Sequence, residues 1–348
     1  MAELDEMVEV RTTLDKVAVI LGAGASKDAF NETGPPRNQS WQPPLAAELF
    51  GQRPAFWPVM AQYSGVRVLA SELGEMMRRG ANLEVKLREY AEHSDRRIRE
   101  HFNEVPAYLR DLIISVWQNF TNTISPGTHL HLVTRLLSLG INVAFIDLNY
   151  DPYIETALAD FDATLKIMKM ADYVAEGRQA IVGKVHGSID WGTPLLPDVE
   201  WKEAIRRFNP HARGETILQP SRRLGDDWWH QKGTRLYPVL TAPLAGKGPM
   251  DLVCPREHTS ALQTFLKDCR HFLVIGTSAQ DADLLDLLGR SVSKPRVVHY
   301  VSESPEHAAA AQGRLESACP QFRGGTRLLY GAGFREYLCG DEFATFLS

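Results

Sequence analysis

Four short clusters hold most of the residues able to do chemistry: Gly22-Ala23-Gly24-Ala25-Ser26, Asn149-Tyr150-Asp151, His186-Gly187-Ser188 and Gly276-Thr277-Ser278. The first is a glycine-rich turn of the kind that lets a backbone approach a phosphate, with the amides of a following helix aimed at the charge. Alone it is a weak signal, because G-x-G turns also serve packing, and Lys27 stands where a G-x-G-x-x-G fingerprint has its third glycine. His186 is of a type that accepts a proton near neutral pH, although a histidine after an apolar strand serves equally as a hydrogen-bonded structural residue. Asn149 carries a donor and an acceptor that could orient a water or a hydroxyl, or could simply form a turn. Asp151 adds a carboxylate, or else caps a helix that starts near Pro152.

Each cluster follows a run that reads as a buried strand. Residues 17–21 (VAVIL), Val143–Leu148, Ala180–Val185 and Phe272–Ile275 are short and apolar, several of them rich in β-branched residues, as strands covered on both faces are. Two more strands are expected at Arg296–Val301 and near 326–330, the latter leading into Gly331-Ala332-Gly333-Phe334. Between them the pattern is helical, most clearly in the stripe Leu109, Leu112, Ile113, Val116, Trp117 and Phe120, which reads as core. Residues 83–101 are charged in both signs, like an exposed amphipathic helix. Residues 31–44 read as loop, and 192–250 as irregular with short strand-like pieces. Alternating strands and helices of this kind predict an α/β fold, a Rossmann-like doubly wound parallel sheet with a helical insertion. Ligands of such sheets bind beyond the carboxyl ends of the strands, where all four clusters fall.

Composition narrows the field. The chain has 348 residues, 44% hydrophobic and 23% charged, with a net charge of −5, which makes direct nucleic-acid binding unexpected. The pairs Arg206–Arg207 and Arg222–Arg223 read as solvated surface or a partner contact. No run approaches the roughly 18 apolar residues of a membrane span, and the acidic N-terminus lacks a signal-peptide core, so a cytoplasmic location is expected. Cys254, Cys269, Cys319 and Cys339 form no C-x-x-C pair; all four read as small buried hydrophobes, and neither a zinc module nor any other metal is expected. An ordinary dehydrogenase is disfavoured, because a Pro-rich loop stands where a second strand with an acidic end would follow.

Taken in order, GAGAS, Pro44-Leu45, a helical stretch, LNYD, HGSIDWG and VIGTS followed by Asp281 and Asp283 resemble the sirtuin superfamily. The order is most similar to the sirtuin-like, NAD-hydrolysing domains of bacterial anti-phage defence proteins. The resemblance runs from about residue 14 to the C-terminus. It implies one domain over 1–348, with a Rossmann-like NAD-binding core at 14–44 and 126–348 and a helical insertion at 45–125. It further implies that Gly22, Ala23, Gly24 and Ser26 hold the NAD diphosphate and that Asn149 lies beside the nicotinamide ribose. His186, after Lys184, becomes the catalytic base, and Asp151 matches the family's aspartate. Gly276 and Ser278 line the ribose and phosphate region, while Gly333 and Phe334 close over the adenine.

One position departs from that pattern: Asp147 stands where the family has threonine, and a carboxylate there would repel a diphosphate unless it turned away. The implied activity is NAD glycohydrolysis by the effector subunit of a defence complex, as a homo-oligomer and with a HerA-type ATPase or a short Argonaute-type protein as partner. An NAD-dependent protein deacylase and a non-catalytic NAD or ADP-ribose-binding module remain as alternatives.

Overall fold

The computed structural model describes residues 14–28, 40–51, 53–78, 83–121, 127–195, 199–209, 214–219, 236–240 and 253–348. The Arg222–Arg223 pair and residues 31–39 of the expected loop lie outside them. Six parallel strands form the main sheet: β1 (Lys16–Leu21), β2 (Asn142–Asp147), β3 (Ala180–Lys184), β7 (His271–Ile275), β8 (Val297–Val301) and β9 (Thr326–Tyr330), in the order β3-β2-β1-β7-β8-β9. All six fall where strands were expected, and the arrangement is the doubly wound sheet expected from the alternation.

Both faces of the sheet are covered over its inner strands, which is why these read as continuous apolar runs, whereas the edge strand β9 is partly exposed. Val17, Val19 and Leu21 of β1 join Val143 and Phe145 of β2 in one core cluster. Ala18, Ile20, Ala144 and Ile146 point into another. The first face carries α6 (Gly127–Leu137), α7 (Tyr153–Phe161) and the C-terminal helices α12 (Phe334–Cys339) and α13 (Asp341–Leu347). The second carries α9 (Arg256–Asp268), α10 (Ala282–Ser291) and α11 (Pro305–Ala318). No helix among the described residues is long and apolar enough to cross a membrane.

Register brings the clusters together. Leu21 pairs with Asp147 and with Ile275, Asp147 with Lys184, Ile275 with Val301, and Val301 with Tyr330. The six strands therefore end in one row, and everything just past them emerges along a single edge. Strand order reverses between β1 and β7, the crevice in which doubly wound sheets hold ligands.

A second core lies beside the sheet. Helices α2 (Ser64–Arg78), α3 (Leu83–Ala91), α4 (Arg96–Phe102) and α5 (Val105–Thr121) pack around Tyr63, Val66, Tyr108 and Leu112. The same cluster includes Tyr150 and Ile189, as well as Tyr237 and Leu240, so the helical segment is anchored on the chain that follows β2 and β3. That chain makes a small antiparallel sheet, β5-β4-β6, of Gly187–Pro194 (β4), Ile217–Leu218 (β5) and Leu236–Leu240 (β6).

Four sequence expectations change here. Gly187 and Ser188 do not end a strand but begin β4. The charged 83–101 segment is two helices, broken before the Asp95 N-cap of α4. Arg206, at the end of α8 (Trp201–Arg206) and expected as solvated surface or a partner contact, is ion-paired to the buried Glu104 at 2.6 Å. Of the cysteines, Cys254, Cys269 and Cys319 are buried as expected, whereas Cys339 is exposed.

Candidate functional site

The glycines at the switch point meet one another before they meet any ligand. Gly22 N donates to Ile275 O and Gly24 N to Gly276 O, both at 2.9 Å, which ties the β1 turn to the β7 turn. A Cβ on Gly22 would stand 2.6 Å from Gly276 O, and one on Gly24 2.8 Å from Gly276 Cα. Gly276 itself has φ +61° and would place a Cβ 2.1 Å from Ala25 N. Close approach of two backbones thus accounts for all three glycines. The short helix α1 (Ala23–Asp28) begins directly on this junction.

Asn149 and Ser26 are linked across the same edge. Asn149 Nδ2 donates to Gly22 O at 3.0 Å and to Ser26 Oγ at 3.3 Å, and Ser26 Oγ donates to Asp151 Oδ2 at 2.9 Å. Asp151 is 9% exposed. Its contact with the start of α7 is a long one, 3.4 Å from Tyr153 N, so capping is the weaker of its two contacts. Burial and then the charge of Asp147 push the Asp151 carboxyl up to about 6, although Lys184 and Ser26 pull the other way.

Asp147 turns away from the cavity. Its Oδ1 accepts the Asn149 amide at 2.9 Å, and its Oδ2 pairs with Lys184 Nζ at 2.8 Å, the residue beside it in register on β3. Lys184 is fully buried, donates also to Asp151 O, and lies 3.6 Å from Glu155 Oε1. Burial works to lower the lysine, but Asp147, Glu155 and Asp151 together outweigh it and raise it. Burial pushes Glu155 up to about 7 against the pull of Lys184. The charge conflict expected at position 147 is therefore resolved by a buried ion pair beneath the site.

His186 follows β3 and is 8% exposed. Its Nε2 lies 2.7 Å from Asp281 Oδ2, and Asp281 Oδ1 accepts Leu284 N at 2.8 Å as the N-cap of α10. His186, Asn149, Asp151, Ser26, Gly22, Ala23, Gly24, Gly276, Ser278 and Phe334 all line one cavity of about 450 Å³, of a size usual for small-molecule sites. Gly333 is not among its lining residues. With φ +96°, Gly333 instead lets the Asp28 carboxylate reach the first amides of α12, at Phe334 and Arg335. A Cβ on Gly333 would stand 2.8 Å from both oxygens of that carboxylate. The opposite wall of the cavity comes from Leu45, Leu49 and Ile113 of the helical segment.

Sequence reasoning assigned no role to several lining residues: Asp28 and Thr277, Asp281, and Glu303, His307 and Arg314 of the β8–α11 region. For Asp281 a signal was present, since it follows the late strand end at short spacing, but its pairing with a histidine 95 residues earlier depends on the fold. His186, Asp281 and Asp283 each offer an atom within 4.8 Å of the others, a spacing in which a metal ion could be held. Both Asp281 oxygens, however, already serve His186 and the α10 amide. Arg314 Nη1 donates to Ser278 O at 3.0 Å, and Lys27 lies 3.8 Å from Glu48, so the rim carries cations beside a floor of hydroxyls and an amide.

A search of the curated proteins finds no match. Among solved structures the chain is similar to a mutant Sir2 homologue in complex with 2′-O-acetyl-ADP-ribose, at 14% identity over 99% of this chain and 96% of that one, with a TM-score of 0.45. It is similar also to Sir2Tm bound to a propionylated peptide, at 14% identity over 97% and 95%, TM-score 0.42. A Sir2 homologue–NAD complex matches at 14% identity over 90% and 92%, TM-score 0.39. The model of one family, described as the SIR2-like domain, matches residues 143–320, from β2 through the end of α11. That match takes in the Asn149, His186 and Gly276 strand ends and spans just over half of the sequence, and on it the chain belongs to the SIR2-like domain family.

Proposed function

We propose that the cavity takes NAD and that the chain hydrolyses it to nicotinamide and ADP-ribose. The observation that carries this reading is the convergence of His186, Asn149 and Asp151 on one cavity beside the Gly22–Gly24–Gly276 junction. The donor set fits a dinucleotide: Ser26, Thr277 and Ser278 offer hydroxyls, and Lys27 and Arg314 offer positive charge toward a diphosphate. In hydrolysis the bond from ribose C1′ to nicotinamide breaks, a water oxygen bonds to C1′, and one proton is released. Departure of nicotinamide leaves positive charge on the ribose. Asp151, ionised above about pH 6, supplies negative charge within the same cavity. Asn149 Nδ2 is committed to Gly22 and Ser26, so its Oδ1 is the atom that orients water or a ribose hydroxyl. His186 takes the proton.

The test is chromatographic: purified protein is incubated with NAD without added metal, beside His186→Ala and Asn149→Ala. Nicotinamide and ADP-ribose from the wild type and neither from the variants is the expected result. Turnover that required an acyl-peptide would replace this reading with a deacylase, and tight NAD binding without product would replace it with a binding module. We further propose that the chain is the effector of an anti-phage defence complex, assembled with itself and with a HerA-type ATPase or a short Argonaute-type partner. Its support is the motif order of the defence domains and the toxicity of unrestrained NAD loss. A monomer by light scattering that hydrolyses NAD at full rate alone would overturn it.

A further inference from the structure

We propose that Asp281 is a positioning residue that holds His186 as the Nε2–H tautomer, so that Nδ1 is the nitrogen that accepts the proton. This deepens the NAD-hydrolase reading and rests on it for its catalytic consequence, but the tautomer itself is a property of the fold.

The contact is short, 2.7 Å from His186 Nε2 to Asp281 Oδ2, and both side chains are nearly closed to solvent, at 10% and 13% exposure. A carboxylic acid is a stronger acid than an imidazolium by more than two powers of ten, so the proton between them belongs on nitrogen. An ionised carboxylate only accepts hydrogen bonds. Nε2 must therefore donate, and in the neutral ring Nδ1 becomes the acceptor.

Asp281 is itself held in place. Its other oxygen takes the Leu284 amide at 2.8 Å where α10 begins, which leaves the carboxylate little freedom to turn. The chain that delivers it runs from Gly276 at φ +61° through Ala279 at φ +52°. Ala279 is the one non-glycine in the left-handed region among the described residues, and it is buried with its amide on Thr277 Oγ1 at 3.1 Å. Left-handed backbone is strained for an alanine, and strain of this kind gathers where a turn must aim a functional group. Here the turn carries Asp281 from the end of β7 to the histidine that follows β3, across β1 and β2 of the sheet.

The pair differs in kind from the buried Lys184 cluster, which neutralises charge below the site. A neutral imidazole shared with a carboxylate has its acceptor nitrogen chosen for it. Without the carboxylate, both tautomers of His186 are available and the fraction able to accept at Nδ1 falls. An amide in place of the carboxylate does more, because its NH₂ donates to Nε2 and forces the proton onto Nδ1.

The experiment combines side-chain nitrogen NMR of histidine-labelled full-length protein with NAD turnover, for wild type, Asp281→Asn and Asp281→Ser. Serine keeps a helix-capping oxygen for Leu284 but is too short to reach His186, so it separates capping from orientation. In its neutral form, wild-type His186 is expected as Nε2–H. Asp281→Asn should convert it to Nδ1–H. Asp281→Asn should lose about 100-fold or more in turnover, as wrong-tautomer variants of histidine–carboxylate pairs do, and Asp281→Ser should fall between it and the wild type, with ADP-ribose affinity of both within a few-fold of wild type. Nδ1–H in the wild type, an unchanged tautomer in Asp281→Asn, or Asp281→Asn turnover within a few-fold of wild type would overturn the proposal. If the wild type turns over no NAD, the hydrolase reading fails, and the NMR arm still decides whether Asp281 sets the tautomer.

Discussion

Asp147, Lys184 and Glu155 show how far a residue's meaning depends on its neighbours. In sequence Asp147 is an unexplained acid at a strand end, because its partner stands 37 residues away and the two meet only through the β2–β3 register. The clusters around Asn149 and His186 were legible for the opposite reason: each is contiguous and follows an apolar run. The pairings Lys184–Asp147 and His186–Asp281 were not, since no local pattern encodes them. Lys184→Met would leave Asp147, Asp151 and Glu155 buried without their cation, and breaking a buried pair in this way costs about 3–5 kcal/mol. Urea denaturation at neutral pH should show that loss. It should shrink near pH 5, where Glu155, raised to about 7, and Asp151, raised to about 6, have taken up protons. A loss independent of pH would mean that packing, not charge, is what Lys184 supplies.

Elements were legible where burial on two faces makes a strand uniformly apolar, as in β1, β2 and β7. β4 was not, because its sequence, GSIDWGTP, contains two glycines and three polar residues that only its antiparallel partners explain. Gly192, for instance, would place a Cβ 2.9 Å from the Leu236 side chain, so the glycine reports a neighbour and not a turn. The same distinction separates two positive-φ glycines. Gly140, with φ +75°, has open space where a Cβ would go, whereas Gly276 would drive its Cβ to 2.1 Å from Ala25 N. Gly140→Ala should cost about 1 kcal/mol, the strain of the backbone alone. Gly276→Ala must also separate the β1 and β7 turns, and should cost several-fold more in denaturant unfolding while abolishing NAD turnover. Equal costs for the two would show that the Gly22–Gly24–Gly276 contact relaxes without consequence.

At the scale of the whole molecule, buried titratable groups on one face of the sheet set opposed dependences on pH. Burial raises Glu155 from 4.5 to about 7. Between those values the unfolded chain releases a proton that the fold retains, so this group makes the fold less stable as pH rises, by about 3 kcal/mol in all. The carboxyl is consistent with holding a proton, since Glu155 Oε2 is buried with no hydrogen-bond partner among the described residues. Burial, and then the charge of Lys184, lowers His129 from 6.5 to about 3. The unfolded chain protonates there first, so this group makes the fold less stable as pH falls below 6.5. Lys184, raised by its carboxylates, contributes below 10.5 and loses that contribution only in alkali. Two substitutions separate the slopes. From pH 8 to pH 5 the wild type should gain about 2–3 kcal/mol relative to Glu155→Gln, because only the wild type sheds the cost of a buried carboxylate. Over the same interval His129→Phe should gain about 2 kcal/mol relative to the wild type. Phenylalanine suits the site, since His129 packs against the Tyr153 and Phe334 rings and its Nδ1 has no partner among the described residues. Urea midpoints at the two pH values decide the matter: curves for both variants that run parallel to the wild type would mean that these groups reach water in the folded protein, and the dry floor beneath the cavity would have to be given up.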